Sequence, residues 1–168
     1  MSPDHHEVID PDVDLHDQAQ RAELRHHWDV LAVIGAGGVA GAEARYGIDV
    51  AMPRSAGRFP WATLIVNVSG CLVIGMLMVL LLELTSPHRL ARPFLGVGIL
   101  GGYTTFSTFA VEAEQLVQAH RAGMALLYVT ATAIGCMLAV WFGTMLAQLA
   151  GRAVVDARSR AMTRRGER

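Results

Sequence analysis

The sequence predicts an all-α integral membrane protein with four transmembrane helices per chain, and three observations carry that prediction. Hydrophobic residues make up 52% of the 168-residue chain, and its mean hydropathy is +0.35. The apolar residues are gathered into four long stretches joined by short polar links. Two of these stretches, 59–82 and 122–151, run for 24 and 30 residues without a charge, whereas a helix crosses a bilayer core with roughly 20 mainly apolar residues. The 14 basic residues, all arginine, nearly balance 15 acids, so no basic footprint points to nucleic acid. Cys71 and Cys136 both lie inside apolar runs with no metal or redox spacing and read as small buried hydrophobes. No nucleophile, metal or cofactor motif supports an enzyme.

Residues 1–27 form an acidic, histidine-containing polar segment that reads as a solvated, disordered tail. It holds Asp4, Glu7, Asp10, Asp12, Asp14, Asp17 and Glu23 against Arg21 and Arg25. The pairs His5/His6 and His26/His27 lack the spacing and companion ligands of a metal site. Residues 28–151 are the membrane domain. Its first stretch, from Trp28 to about Val50, has no charge from Val30 to Ala42 and carries Glu43 and Arg45 in its last turns. The third, Pro93 to about Ala119, is uncharged to Val111. Pro60 and Pro93 sit at expected helix starts, where a missing N–H is harmless. The short loops make neighbouring helices antiparallel. Residues 152–168 are an arginine-rich polar tail, expected beside lipid headgroups.

Most of the 17 glycines fall inside the apolar stretches, as expected where helix backbones approach closely in lipid. Gly37 and Gly41 form a GxxxG pair, and Ala131, Gly135, Ala139, Gly143, Ala147 and Gly151 make a smooth ridge at four-residue steps. Such ridges serve packing within one chain or between chains, and the spacing does not choose.

The polar residues at membrane depth are more informative. Thr63, Asn67 and Gly70 share one helix face, and an amide there either bonds a neighbouring helix, the commoner case, or lines a watered path. Gly101-Gly102-Tyr103-Thr104-Thr105 gathers weak helix formers at mid-membrane and predicts a break in the third helix. Carbonyls freed by a break must be buried in protein, line a cavity or coordinate a cation. If the helix resumes near Thr105, then Thr105, Thr108 and Glu112 fall on one side, with Phe106 and Phe109 one step round. Hydroxyl donors beside phenyl edges suit a small anion.

Three motifs together resemble the Fluc or CrcB family of fluoride ion channels: Gly-Gly-Val-Ala-Gly-Ala-Glu-Ala-Arg-Tyr (37–46), Thr-Leu-Ile-Val-Asn-Val-Ser-Gly (63–70) and Gly-Gly-Tyr-Thr-Thr-Phe-Ser-Thr-Phe (101–109). The resemblance covers about residues 30–150 and departs from the family at Ala62, where glycine is common. It implies a fluoride-selective channel exporting fluoride from the cytoplasm and giving fluoride resistance. It also implies a plasma-membrane dimer of antiparallel, dual-topology subunits, with a structural sodium ion at the dimer centre. The sodium site would use the backbone carbonyls of Gly101 and Thr104. Pore-lining roles fall to Asn67, Phe106, Phe109, Ser107 and Thr108, with Thr63, Glu112 and Tyr128 on the adjoining polar track. Arg45 falls beside the aqueous vestibule, or simply snorkels from its helix end.

The alternative is a proton-coupled, four-helix exporter like the small multidrug resistance proteins. Glu43, its only carboxylate candidate, stands late in the first stretch and two residues from Arg45, a poor place to hold an organic cation. A membrane scaffold would explain the glycines but not the clustered polar residues. Charge placement adds one tension. Arg21, Arg25, Arg89, Arg92 and six tail arginines fall on the side of the termini, against Arg54, Arg58, Arg121 and Arg45 on the other. That bias favours cytoplasmic termini, whereas an antiparallel homodimer needs both orientations. The chain therefore pairs either with a homologous subunit of opposite bias or with itself, its tail emerging too late to fix orientation.

Overall fold

The computed structural model describes the backbone of residues 18–53, 57–81 and 89–166 and the side chains of 28–53, 57–81 and 89–152 within them. The N-terminal acidic residues with His5 and His6, Arg54, Pro87 and the side chains of the distal tail arginines lie outside the described residues. Every regular element among the described residues is helical.

Helix α1 spans Gln18–Ala51. It starts ahead of Trp28 because Gln, Ala, Arg, Glu and Leu at 18–25 are good helix formers, so residues 18–27 are wound although they belong to the polar segment. Helix α2 spans Trp61–Val79, with Pro60 as its N-cap. The third segment, α3 (93–103), begins with π-type winding over Pro93–Leu100 and tightens to α-helix over Gly101–Tyr103. Helix α4 spans Ser107–Gln118 and α5 spans Ala122–Gly166. The helical winding of α5 therefore continues through the arginine-rich tail.

Three helical segments are long and apolar enough to cross a membrane: Trp61–Val79, Pro93–Gln118 and Ala122–Arg152. Helix α1 is not among them, because glycines and the charged pair Glu43 and Arg45 dilute its apolar run.

Two glycine-lined crossings hold the helices together. In the first, α1 lies against α3. A Cβ on Gly41 would strike the Ile99 carbonyl, one on Gly37 would come within 3.0 Å of Gly98, and one on Gly102 would strike the Gly38 carbonyl. In the second, α2 lies against α5, where a Cβ on Gly75 would strike the Val140 carbonyl and one on Gly143 the Leu72 carbonyl. Ala139 and Ala147 are buried on the same ridge. For these residues the ridges therefore serve packing within one chain.

The turn between α4 and α5 closes as a Schellman motif: Arg121 N–H bonds the Leu116 carbonyl and His120 N–H bonds the Val117 carbonyl, each at 2.9 Å. His120 takes the left-handed position with φ 57, which glycine usually fills. Around this turn Leu116, Ala125 and Tyr128 form a small core with Phe59, Leu64, Phe109, Ala113 and Met124 packed on it. Elsewhere large apolar side chains face outward; Met137 is 73% exposed and Leu126 69%. Such surfaces are stable only against lipid or another protein.

Candidate functional site

The chain leaves helical geometry between α3 and α4. Thr104 is extended, with φ −76 and ψ 156, and α2 holds the exposed peptide groups through Asn67. The Asn67 amide Nδ2 donates to the Thr105 carbonyl at 2.9 Å, and the Thr105 N–H donates to Asn67 Oδ1, also at 2.9 Å. One side chain thus satisfies both backbone groups of one residue, which fixes the orientation of the amide. Among the described residues, the second amide hydrogen of Asn67 has no protein acceptor.

The clasp has a consequence one turn earlier. In an uninterrupted helix the Thr105 N–H would bond the Gly101 carbonyl. Its transfer to Asn67 releases that carbonyl from the ladder, and Gly101 is one of the residues lining an open cleft. The Thr104 carbonyl faces Arg45, whose Nη1 lies 3.5 Å away, the outer limit of a hydrogen bond. Gly70 permits the close approach, since a Cβ there would strike the Thr104 methyl. Ser69 Oγ and Tyr103 OH meet at 2.8 Å and brace the other end of the break.

Thr105 lies two residues ahead of α4. Its Oγ1 accepts from the Thr108 N–H at 3.2 Å, donates to Thr108 Oγ1 at 3.0 Å and lies 3.3 Å from Ser107 Oγ. Three hydroxyls are thereby gathered at the N-terminus of α4, where free N–H groups already favour negative charge. A turn further on, Glu112 is 4% exposed. Its carboxylate accepts from Thr63 Oγ1 at 2.8 Å and from Tyr128 OH at 2.7 Å. A buried carboxylate without donors would be very costly, and here α2 and α5 each supply one.

The aromatic residues form a second lane. Phe106 and Phe109 have ring centroids 5.8 Å apart, Phe109 and Tyr128 5.1 Å, and Tyr128 and Phe59 5.6 Å edge-on. Phe109 packs on the core, whereas Phe106 is 79% exposed. An open cleft of about 570 Å³ joins the two lanes; Asn67, Gly101, Thr104, Thr105, Phe106 and Phe109 are among its walls.

Thr63, Asn67, Gly101, Thr104, Phe106, Ser107, Thr108, Phe109, Glu112 and Tyr128 thus gather around one break, and Arg45 reaches it from α1. Thr105, which the sequence placed on the hydroxyl lane without a further role, is the hub of this cluster; Thr132 was not singled out from the sequence. Thr132, buried on the cleft wall, bonds the Tyr128 carbonyl at 2.7 Å; its spacing of four from Tyr128 was the available signal.

Comparison with known proteins places this geometry. Residues 32–144 match the family described as CrcB-like protein, Camphor Resistance (CrcB). The chain is 45% identical over 128 residues to a fluoride-specific ion channel, FluC 1, of Streptomyces coelicolor, covering 76% of this chain and 83% of that one. It is 50% identical over 113 residues to FluC 2 of Thermobifida fusca, again a fluoride-specific ion channel, covering 67% and 84%. A third such channel, from Solibacter usitatus, is 44% identical over 117 residues, covering 69% and 96%. All three motifs of the sequence lie within the matched region, and with them every residue of the break, so the chain belongs to the CrcB family.

Proposed function

We propose that this protein is a fluoride channel of the plasma membrane that lets cytoplasmic fluoride leave down its electrochemical gradient and so gives resistance to it. The observation that carries this reading is the break itself. Asn67, Thr105, Ser107 and Thr108 supply hydrogen-bond donors near the rings of Phe106 and Phe109, in a chain whose relatives are named fluoride-specific ion channels. Fluoride is small and strongly hydrated, so it enters a narrow path only where such donors replace its water. The spare amide hydrogen of Asn67 and the hydroxyls of α4 are suited to that replacement, and phenyl edges add a positive rim.

Helix α1 is the fourth span in this reading, because its glycines seat it against the membrane-spanning segment that contains α3. The functional unit is an antiparallel dimer, with its partner covering the cleft and the exposed Phe106. The released carbonyl of Gly101 is a hard oxygen donor suited to sodium. Two carbonyls from each of two copies, Gly101 and Thr104, would hold the ion, although Arg45 leaves Thr104 the less free of the pair. When bound, the ion supplies positive charge that joins the two breaks.

Fluoride efflux from liposomes containing the purified protein, alone or combined with a homologue of opposite charge bias, tests the reading, with chloride as control. Efflux of fluoride with almost none of chloride is expected; equal efflux of both halides would reject it.

A further inference from the structure

A second cavity, of about 740 Å³, opens between the loop before α2 and the turn before α5. Two arginines from separate parts of the chain, Arg58 and Arg121, line it together with Thr108 and Glu112 of α4. Arg121 is fixed by the Schellman turn and packs against the facing loop, where a Cβ on Gly57 would lie 3.6 Å from its Nε. Among the described residues neither guanidinium has an ion-pair partner, although Asp49 also lines the cavity. Arg45 does not line this cavity and lies instead at the break.

One pair of hydroxyls separates this cavity from the cleft at the break. Thr108 lines it on one side and shares two hydrogen bonds with Thr105, which lines the cleft on the other. An anion in this cavity is therefore one hydroxyl pair away from the Asn67 clasp. A cation meets two guanidinium groups and a carboxylate already engaged by Thr63 and Tyr128.

We propose that Arg58 and Arg121 form the mouth of the pathway, an anion-concentrating site for small hydrated inorganic anions. The proposal rests on the channel reading and assigns to these two residues the vestibular role that the sequence resemblance suggested for Arg45. Two unit charges about 7 Å from an anion in water raise its local concentration about five- to tenfold. The effect fades as the Debye length shrinks from about 30 Å at 0.01 M salt to about 8 Å at 0.15 M.

The test is initial fluoride efflux from liposomes at both salt concentrations. The proteins compared are the unaltered chain, Arg58→Gln/Arg121→Gln, Arg58→Lys/Arg121→Lys and Asp49→Asn. Arg89→Gln serves as the control, because Arg89 pairs with Asp29 away from this cavity. The glutamine pair is expected to lose about five- to tenfold at low salt and to approach the unaltered protein at high salt. The lysine pair should retain most of the flux, and Asp49→Asn should gain at low salt. Full flux from the glutamine pair at low salt would overturn the proposal. An equal loss at both salts that lysine does not repair would overturn it too, as the signature of a packing role. The assay uses the chain alone or, if that is silent, the chain combined with a homologue of opposite charge bias; no fluoride flux from the unaltered protein in either preparation would instead reject the channel reading, and this inference with it.

Discussion

Asn67 is the residue on which the site turns, because it is at once a structural clasp and a wall of the cleft. Asn67→Asp keeps an acceptor for the Thr105 N–H but sets a second oxygen against the Thr105 carbonyl. A buried carbonyl left without a donor costs about 1–3 kcal/mol. The variant is therefore expected to unfold at lower temperature in detergent and to carry no fluoride; unchanged thermal unfolding would contradict the clasp. The two phenylalanines separate packing from pore chemistry. Isoleucine preserves apolar bulk and removes the ring edge. At Phe109, whose ring packs on Tyr128 and Phe106, the change should lower stability by about 1 kcal/mol as well as flux. At Phe106, which is 79% exposed, flux should fall while the stability of the chain holds. Efflux and thermal unfolding measured on the same preparations distinguish the two.

At the scale of elements, glycine acts by allowing backbones to touch, so its substitution should matter only at the crossings. Gly41→Ala drives a methyl into the Ile99 carbonyl, whereas Gly47→Ala, in the same helix, meets nothing within 4 Å. The first is expected to reduce the yield of folded protein sharply and the second to leave it intact, as size-exclusion profiles after mild heating would record. The α4–α5 turn makes the opposite point. His120 holds a left-handed conformation that costs a non-glycine residue about 1–2 kcal/mol, so His120→Gly should raise the unfolding temperature. No rise would mean that the His120 side chain repays its strain through contacts of its own.

At the scale of the molecule, a cleft is open at the break and Phe106 stands out from it. In the proposed dimer, a second copy or a homologue covers this face. The arginine bias towards the side of the termini opposes equal insertion in both orientations. Expression of this chain alone, with single cysteines at each terminus labelled from outside the cell, decides between the two partners. Inward termini throughout, with flux appearing only when a homologue of opposite charge bias is supplied, are the expected outcome. Termini labelled on both faces, with flux from the purified chain, would reject the heteromeric pairing.

The sequence by itself determined the helical membrane class, because uncharged apolar runs as long as 59–82 and 122–151 have no other stable solution in lipid. It also singled out the polar cluster, since Asn67, Thr63 and the 101–109 motif are expensive at membrane depth. It did not determine what the glycines touch, because a four-residue ridge looks the same whether its partner is α2 of the same chain or another molecule. Nor did it reveal Thr105 as the hub or the winding of residues 18–27. Only the tertiary structure decided these. The bonds between Asn67 and Thr105, and those from Thr63 and Tyr128 to Glu112, join residues far apart in the chain. Helical periodicity orders residues within one element and carries no information about which faces of different elements meet.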